Sequence, residues 1–192
     1  EGEKLGYPSN FTIYDTQDSV RLITSIIKEL QLEKDRYKPK QVLHRISQFK
    51  NSLITVRSYY QNPVLIEADR ASGRPETGAI YKAYVDRCFK SGAMDFDDLL
   101  LNMIKLLESS KETLSKYQNR FKYILVDEYQ DTNRLQAEIV HALAKSRQNV
   151  MVVGDDSQSI YSFRGAHFRN ILDFPKLFPQ SRVLKLEENY RS

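Results

Sequence analysis

The sequence is poor in the residues that build redox and metal centres. Its 192 residues include one cysteine and three histidines. Because Cys88 is alone, an internal disulfide and a cysteine-based metal cluster are both excluded within the chain. His44, His141 and His167 are scattered along the sequence, and His141 lies on a predicted amphipathic helix, where a structural role is commoner than metal ligation.

Long apolar runs are also missing, so no segment has the composition of a membrane-spanning helix. The amino terminus lacks the apolar core of a signal peptide, and the predicted location is the cytoplasm. The first residue is not methionine, from which we expect a piece cut from a longer protein. The apolar content of 41% is enough for a core. A net charge of +4 permits nucleic-acid binding without requiring it.

The pattern of predicted secondary structure differs between two parts of the chain. Residues 17 to 90 show helical periodicity alone, whereas short strands alternate with helices from about residue 95. Helices are predicted to begin at Asp15-Thr16, at Pro39, after Asn62-Pro63 and at Asp95, because Asp and Asn are good amino-terminal caps and Pro suits the first helical turn. Alternating strands and helices predict an α/β fold with a parallel sheet.

Basic residues outnumber acidic ones between Arg21 and Arg57. The basic ones inside this stretch are Lys28, Lys34, Arg36, Lys38, Lys40, Arg45 and Lys50. They predict either a basic helical face that meets nucleic acid or ordinary solvated lysines on surface helices. The sequence leaves both interpretations open.

The most informative segment is the apolar run from Tyr123 to Val126, followed by Asp127 and Glu128. Such a run predicts a buried parallel strand, and ligands of open α/β sheets gather beyond the carboxyl ends of strands. An Asp there can hold Mg²⁺, and a neighbouring Glu can deprotonate an attacking water. Adjacent carboxylates therefore suit nucleotide hydrolysis.

A second predicted strand, 150–153, ends in Gly154, Asp155 and Asp156. We expect both strands to end at one rim, with Gly154 permitting a close turn. The amide of Gln158 can contact both a phosphate oxygen and a water. Alternatively, the two aspartates only cap a following helix. A further helix is predicted over 167–174, ended by Pro175, and a third strand over 182–186.

Tyr161 and Phe163 precede Arg164. Aromatic rings can stack on unpaired bases while arginine holds a phosphate, although aromatics at this spacing are also common in cores. Arg191, after the third predicted strand, can stabilise charge on a γ-phosphate or simply lie at the surface.

Taken in order, VDEYQDTN, VVGDDSQSIYSFRGA and LEENYRS resemble motifs II, III and IV of the UvrD, Rep and PcrA family of superfamily-one DNA helicases. The segments 11–18 and 94–100 also resemble family signatures. Three long motifs in order are far more specific than any one short motif.

The resemblance implies a motor that couples ATP hydrolysis to 3′-to-5′ movement on single-stranded DNA and so opens the duplex ahead. By similarity, Asp127 binds Mg²⁺, Glu128 activates water, and Gln158 and Arg191 contact the γ-phosphate of ATP. A further set would lie along the single strand: Tyr161, Phe163 and Arg164. Many relatives carry Trp at the position of Phe163, so stacking is expected to be weaker here.

The implied fold is a partial RecA-like (P-loop NTPase) parallel sheet with a mainly helical inserted subdomain. Residues 1–16 would be a linker remnant of the first motor domain, 17–92 the insert that leans toward the duplex junction, and 93–192 the carboxyl-terminal part of that motor domain, ending at the junction to the second.

The chain contains no GxxxxGK[ST] phosphate-binding loop, which the family places ahead of these motifs. We therefore expect an internal fragment that has little or no ATPase activity alone. The missing strands would leave an exposed sheet edge, through which a non-native dimer is expected.

Three other functions stay open. One is a helicase-derived module that binds DNA or protein without hydrolysis, and another is a subunit of a helicase-nuclease. The last is a metal-dependent phosphoesterase, whose candidate ligands would be Asp127, Glu128, Asp131, Asp155 and Asp156.

Overall fold

A computed structural model describes residues 1–155 and 169–185, with the side chain of Arg169 left out. Two short 3₁₀ helices span Gly2–Leu5 and Tyr129–Asp131. The strands are β1 (Thr12–Tyr14), β2 (Ala93–Asp95), β3 (Ile124–Val126) and β4 (Val150–Val152). The helices are α1 (Thr16–Glu29), α2 (Pro39–Asn51), α3 (Val56–Tyr60), α4 (Pro63–Ala71), α5 (Thr77–Lys90), α6 (Phe96–Ser109), α7 (Lys111–Arg120), α8 (Arg134–Ala144) and α9 (Arg169–Leu177).

The helix starts follow from local capping chemistry. Asp15 and Asp95 each accept a hydrogen bond from the backbone N–H three residues on, and Asp18 and Asp98 complete the two capping boxes. Pro39 occupies the first turn of α2, where its missing N–H costs no helical hydrogen bond. Asn62 caps α4, and its side-chain oxygen accepts from the backbone N–H groups of Val64 and Leu65. The predicted starts at Asp15, Pro39, Asn62 and Asp95 are therefore confirmed.

Both sheets are parallel and two-stranded. Strand β1 pairs with β2, with Thr12 opposite Ala93, and β3 pairs with β4, with Ile124 opposite Val150. The predicted α/β class and parallel pairing are confirmed. The larger RecA-like sheet remains a prediction, because the described strands form two separate pairs. The β1–β2 pair was not predicted, because its three-residue strands lack the continuous aliphatic run that marks β3 and β4.

Most of the buried apolar volume lies in the helical region. Its largest cluster joins α1, α2 and α5, and includes Ile23, Ile46, Phe49 and Tyr84. A second cluster lies under β3 and β4, and a third joins α6 to α8 through Leu101, Ile104 and Leu135. Cys88 is 2% exposed in the first cluster, and burial raises the pKa of its thiol to about 12. Because the thiolate is the reactive form, the buried Cys88 thiol is unreactive.

Two predictions near the carboxyl end are wrong. Pro175 does not stop a helix, because α9 continues through it to Leu177. Phe174 and Phe178, 7% and 4% exposed, pack on the second cluster from either side of the proline, so tertiary burial offsets the missing N–H. No strand forms over residues 182–185. Val183 and Leu184 are 71% and 86% exposed there, since a short run with two apolar residues forms no strand without a neighbour to pair with.

Among the described residues, none of the helices is long and apolar enough to cross a lipid bilayer.

A buried ion cluster connects α2 to the start of α6. Lys50 is 1% exposed, and its Nζ lies 2.7 Å from Asp95 Oδ2 and 2.7 Å from Asp98 Oδ1. The Tyr84 hydroxyl donates to Asp95 Oδ2 at 2.8 Å. Burial disfavours the charged ammonium, but the two carboxylates outweigh it and raise the pKa of Lys50. Lys50 is therefore neither part of a basic face nor a solvated lysine.

We expect Lys50→Met to lower the free energy of unfolding by about 3–5 kcal/mol, because it leaves two buried carboxylates without their cation. Urea unfolding of the 192-residue chain measures this. The matched control is Lys40→Met, an exposed lysine of the same helix, which should change stability by no more than about 0.5 kcal/mol. A loss below about 1 kcal/mol for Lys50→Met would contradict the prediction.

Candidate nucleotide site at the ends of β3 and β4

The predicted rim exists at the carboxyl ends of β3 and β4. The pairing continues past the strands: Val153 N–H donates to Val126 O at 2.8 Å, and Tyr129 N–H donates to Val153 O at 2.9 Å. Asp127 and Glu128 follow β3, and Asp155 follows β4 two residues after Val153. Parallel pairing thus brings the polar ends of two strands to one edge, which is where α/β folds bind ligands.

Glu128 has a strained backbone. Its φ of 50° and ψ of 43° lie in the left-handed region, although it is not glycine. That conformation costs an ordinary residue about 1–2 kcal/mol. Both Asp127 and Glu128 are exposed, and Asp127 Oδ1 accepts the Glu128 N–H at 2.9 Å. A strained backbone persists only where surrounding contacts enforce it, and such residues are common at functional sites.

Gln130 fills the space between the two strand ends, although it is 1% exposed. Its Nε2 donates to Glu128 Oε2 at 2.6 Å, and its Oε1 accepts the Asp155 N–H at 3.0 Å. Sequence reasoning missed this residue. The only signal was a glutamine two positions after the carboxylate pair, and that spacing does not reveal a bond to a residue 25 positions away.

Aromatic packing against α9 stabilises the turn that follows Glu128. Tyr129 is 1% exposed, and its ring lies 5.8 Å from that of Phe174 in an edge-on arrangement. Asn170 of α9 donates to Thr132 O at 2.9 Å. Helix α9 therefore fixes the 3₁₀ turn that follows Glu128.

The donor set at the rim suits a partly hydrated Mg²⁺. Mg²⁺ usually keeps several waters and takes one or two carboxylates together with substrate phosphates. The exposed Asp127 carboxylate fits that role. In residues 1–155 and 169–185, no group of three or more His, Cys, Asp or Glu side chains is arranged to hold a metal ion. The described residues thus give no support to the phosphoesterase interpretation; its fifth carboxylate, Asp156, lies outside them.

The remaining predicted site residues lie outside the described residues. They are Gln158, Tyr161, Phe163, Arg164 and Arg191. Of the predicted nucleotide site, the structure therefore brings together Asp127, Glu128 and the turn at Gly154–Asp155.

Basic side chains do line one surface of the helical region. A groove of about 620 Å³ beside α2 is bordered by Lys40, Arg45 and Arg74, with His44 and Gln48 on the same helix. Its acidic residue, Asp69, is already held by Arg45 at 3.0 Å and by the Tyr59 hydroxyl at 2.9 Å. The groove keeps a positive excess.

Comparison with known proteins gives a consistent family. The protein-family model of the UvrD/REP helicase N-terminal domain matches residues 1–179 of this chain. The ATP-dependent DNA helicase PcrA of Leuconostoc citreum is 41% identical over 192 residues, covering 100% of this chain and 25% of the relative. PcrA of Bacillus subtilis (strain 168) is 40% identical over 196 residues, covering 99% of this chain and 25% of the relative. The chain thus spans about a quarter of the length of these relatives.

The strain at Glu128 can be tested by two substitutions that both remove its carboxylate. We expect Glu128→Gly to be more stable than Glu128→Ala by about 0.5–1 kcal/mol, because relief of the left-handed strain exceeds the greater freedom of glycine in the unfolded chain. Urea unfolding of the two variants gives the difference. At Glu138, an exposed residue inside α8, the order should reverse, with alanine better by about 1 kcal/mol. The same order at both positions would contradict the prediction.

Proposed function

This chain belongs to the UvrD/REP helicase N-terminal domain family, and from that premise we propose that it is part of an ATP-dependent DNA helicase. The complete protein would couple ATP hydrolysis to 3′-to-5′ movement along single-stranded DNA and to duplex unwinding in repair or replication. The observation that carries the proposal is the shared rim of β3 and β4, which joins Asp127 and Glu128 to the Gly154–Asp155 turn.

Hydrolysis would proceed by attack of water on the γ-phosphate. The water oxygen bonds to the γ-phosphorus, the bond from that phosphorus to the bridging oxygen of ADP breaks, and Glu128 takes the water's proton. Asp127 would hold Mg²⁺, which supplies charge neutralisation at the phosphates when bound. Gln158 and Arg191 would contact the γ-phosphate.

The domain division is supported by the β1–β2 pair. The chain leaves β1 after Tyr14 and returns at Ala93, the first residue of β2, which pairs with Thr12 in the parallel register. The segment between them thus begins and ends on two neighbouring strands of three residues each, and close ends are what an insertion into a sheet-containing domain requires. We therefore propose that 17–92 is an insert, flanked by 1–16 and by the motor segment 93–192.

Two surfaces would meet DNA. Tyr161, Phe163 and Arg164 would follow the single strand by stacking and phosphate contact. The basic groove beside α2, with Lys40, Arg45 and Arg74, has the charge expected of a surface that leans toward duplex phosphates.

The activity is tested with the complete protein that carries this chain. We expect ATP turnover, and we expect Glu128→Gln to lower kcat by about 10²–10⁴-fold because the proton acceptor is lost. A coupled ATPase assay measures this, with fluorescent ATP binding as the control for an intact site. The 192-residue chain alone should show no turnover above its own Glu128→Gln variant. Absence of turnover in the complete protein would favour a non-hydrolysing binding module, whereas equal kcat in the parent and its Glu128→Gln variant would overturn the role of Glu128 as the proton acceptor.

The DNA track is tested by fluorescence anisotropy of the 192-residue chain on single-stranded DNA across a salt series. We expect Arg164→Ala to reduce the salt slope by about 1, and Phe163→Ala to weaken binding by about 1–3 kcal/mol with the slope unchanged. The matched controls are Arg120→Ala and Phe121→Ala, two exposed neighbours at the end of α7, which should bind as the parent does. Equal losses in the controls would contradict the assignment.

A further inference from the structure

We propose that Gln130 is a positioning residue for Glu128: its amide ties the Glu128 carboxylate to the backbone of the Gly154–Asp155 turn. The inference rests on the proposed function, since it concerns how the proton acceptor is held. Gln130 itself forms and breaks no bond to substrate.

The two hydrogen bonds fix the amide in one orientation. Glu128 Oε2 can only accept, and it receives Nε2 at 2.6 Å; the Asp155 backbone N–H can only donate, and it meets Oε1 at 3.0 Å. Flipping the amide would place a donor against a donor and an acceptor against an acceptor. Because Gln130 is 1% exposed, water cannot replace either partner at low cost.

Gly154 provides the space for this amide. A Cβ atom at Gly154 would collide with Gln130 Oε1 and would approach Ile171 Cδ1 to 2.9 Å. The backbone of Gly154 does not have positive φ, so the glycine is required here by close approach rather than by conformation. The absence of a side chain at Gly154 is therefore what allows the Gln130 amide to lie against this turn.

Glu128 depends on such a partner because it is exposed and has three rotatable side-chain bonds. Within the described part of the chain, its carboxylate has one hydrogen bond, the one from Gln130. A proton acceptor must be held near its productive position, since a displacement of about 1 Å can cost 10²-fold in rate. The strained backbone of Glu128 aims the side chain, and Gln130 fixes its end.

The link also reaches along the chain. Asp155 directly precedes the segment 156–168, which carries Gln158, Tyr161, Phe163 and Arg164. The Asp155 N–H is one end of the Gln130 bridge, so the bridge connects the carboxylate of Glu128 to the residue that directly precedes this segment.

The test uses steady-state ATPase kinetics of the complete protein that carries this chain. Gln130→Glu keeps an acceptor for the Asp155 N–H but turns a carboxylate toward Glu128. Gly154→Ala displaces the amide without changing either partner. We expect each to lower kcat by about 10- to 100-fold, a part of what a general base supplies, while KM for ATP stays within about threefold of the parent. The matched control is Gln136→Glu, which keeps an acceptor for the Asn133 N–H and should leave kcat unchanged.

The unfolding midpoint is a second measurement, which reports on the contact between Gln130 and Glu128 independently of ATP hydrolysis. In Gln130→Glu two carboxylates face each other, and adding Glu128→Gln restores a donor and an acceptor. The unfolding midpoint of this double variant should exceed the value that the two single shifts add up to. If Gln130→Glu fails to fold, Gly154→Ala decides on kinetics alone.

The outcomes separate the two claims. If Glu128→Gln is inactive but Gln130→Glu or Gly154→Ala keeps kcat within twofold of the parent, the positioning role is overturned and the proposed function stands. A rise in KM that matches the loss of kcat shows a structural role and also overturns it. If the parent has no turnover, the proposed function fails, and if Glu128→Gln retains the parent's turnover, the role of Glu128 as proton acceptor fails; this inference fails in both cases.

Discussion

The contact between Lys50 and the two carboxylates of Asp95 and Asp98 is the constraint on which the arrangement of the chain depends. An ammonium group 1% exposed is several kcal/mol unfavourable unless it is paired. Here both carboxylates lie 2.7 Å away, and the Tyr84 ring lies 5.0 Å from Nζ. Apart from burial, which acts in the opposite direction, Lys50 is the largest influence on Asp95 and lowers the pKa of that carboxyl.

The same two aspartates also begin α6, through the capping box at its amino terminus. One pair of side chains therefore fixes both where α6 starts and where α2 lies against it. Helix α6 then packs on α8 through Leu101, Ile104 and Leu135, and α8 follows directly on the turn that carries Glu128. A continuous path of packed elements thus connects the helical region to the rim of β3 and β4.

The rim itself is assembled from small distortions rather than from a deep pocket. Glu128 has a left-handed backbone, Gln130 is buried with both ends of its amide satisfied, and Gly154 leaves room for it. The outer side of the same strands is apolar and open: Leu125 is 71% exposed and Met151 53%. In parallel sheets a face of this kind is ordinarily covered. Self-association of the chain through its free sheet edge stays a prediction.

The sequence by itself determined the local features: the helix starts at Asp15, Pro39, Asn62 and Asp95, the strand before Asp127, and the family, because capping, proline geometry and long ordered motifs act over neighbouring residues. Its errors came where distant contacts outweigh local preference, as at Pro175, where flanking phenylalanines are buried, and over 182–185, where no partner strand pairs. Only the tertiary structure decided that Lys50 is buried and that Gln130 joins Glu128 to Asp155. Gln130 and Asp155 are 25 positions apart, and Lys50 and Asp98 are 48 positions apart. The energies of these contacts depend on burial and distance, which no local pattern in a sequence encodes.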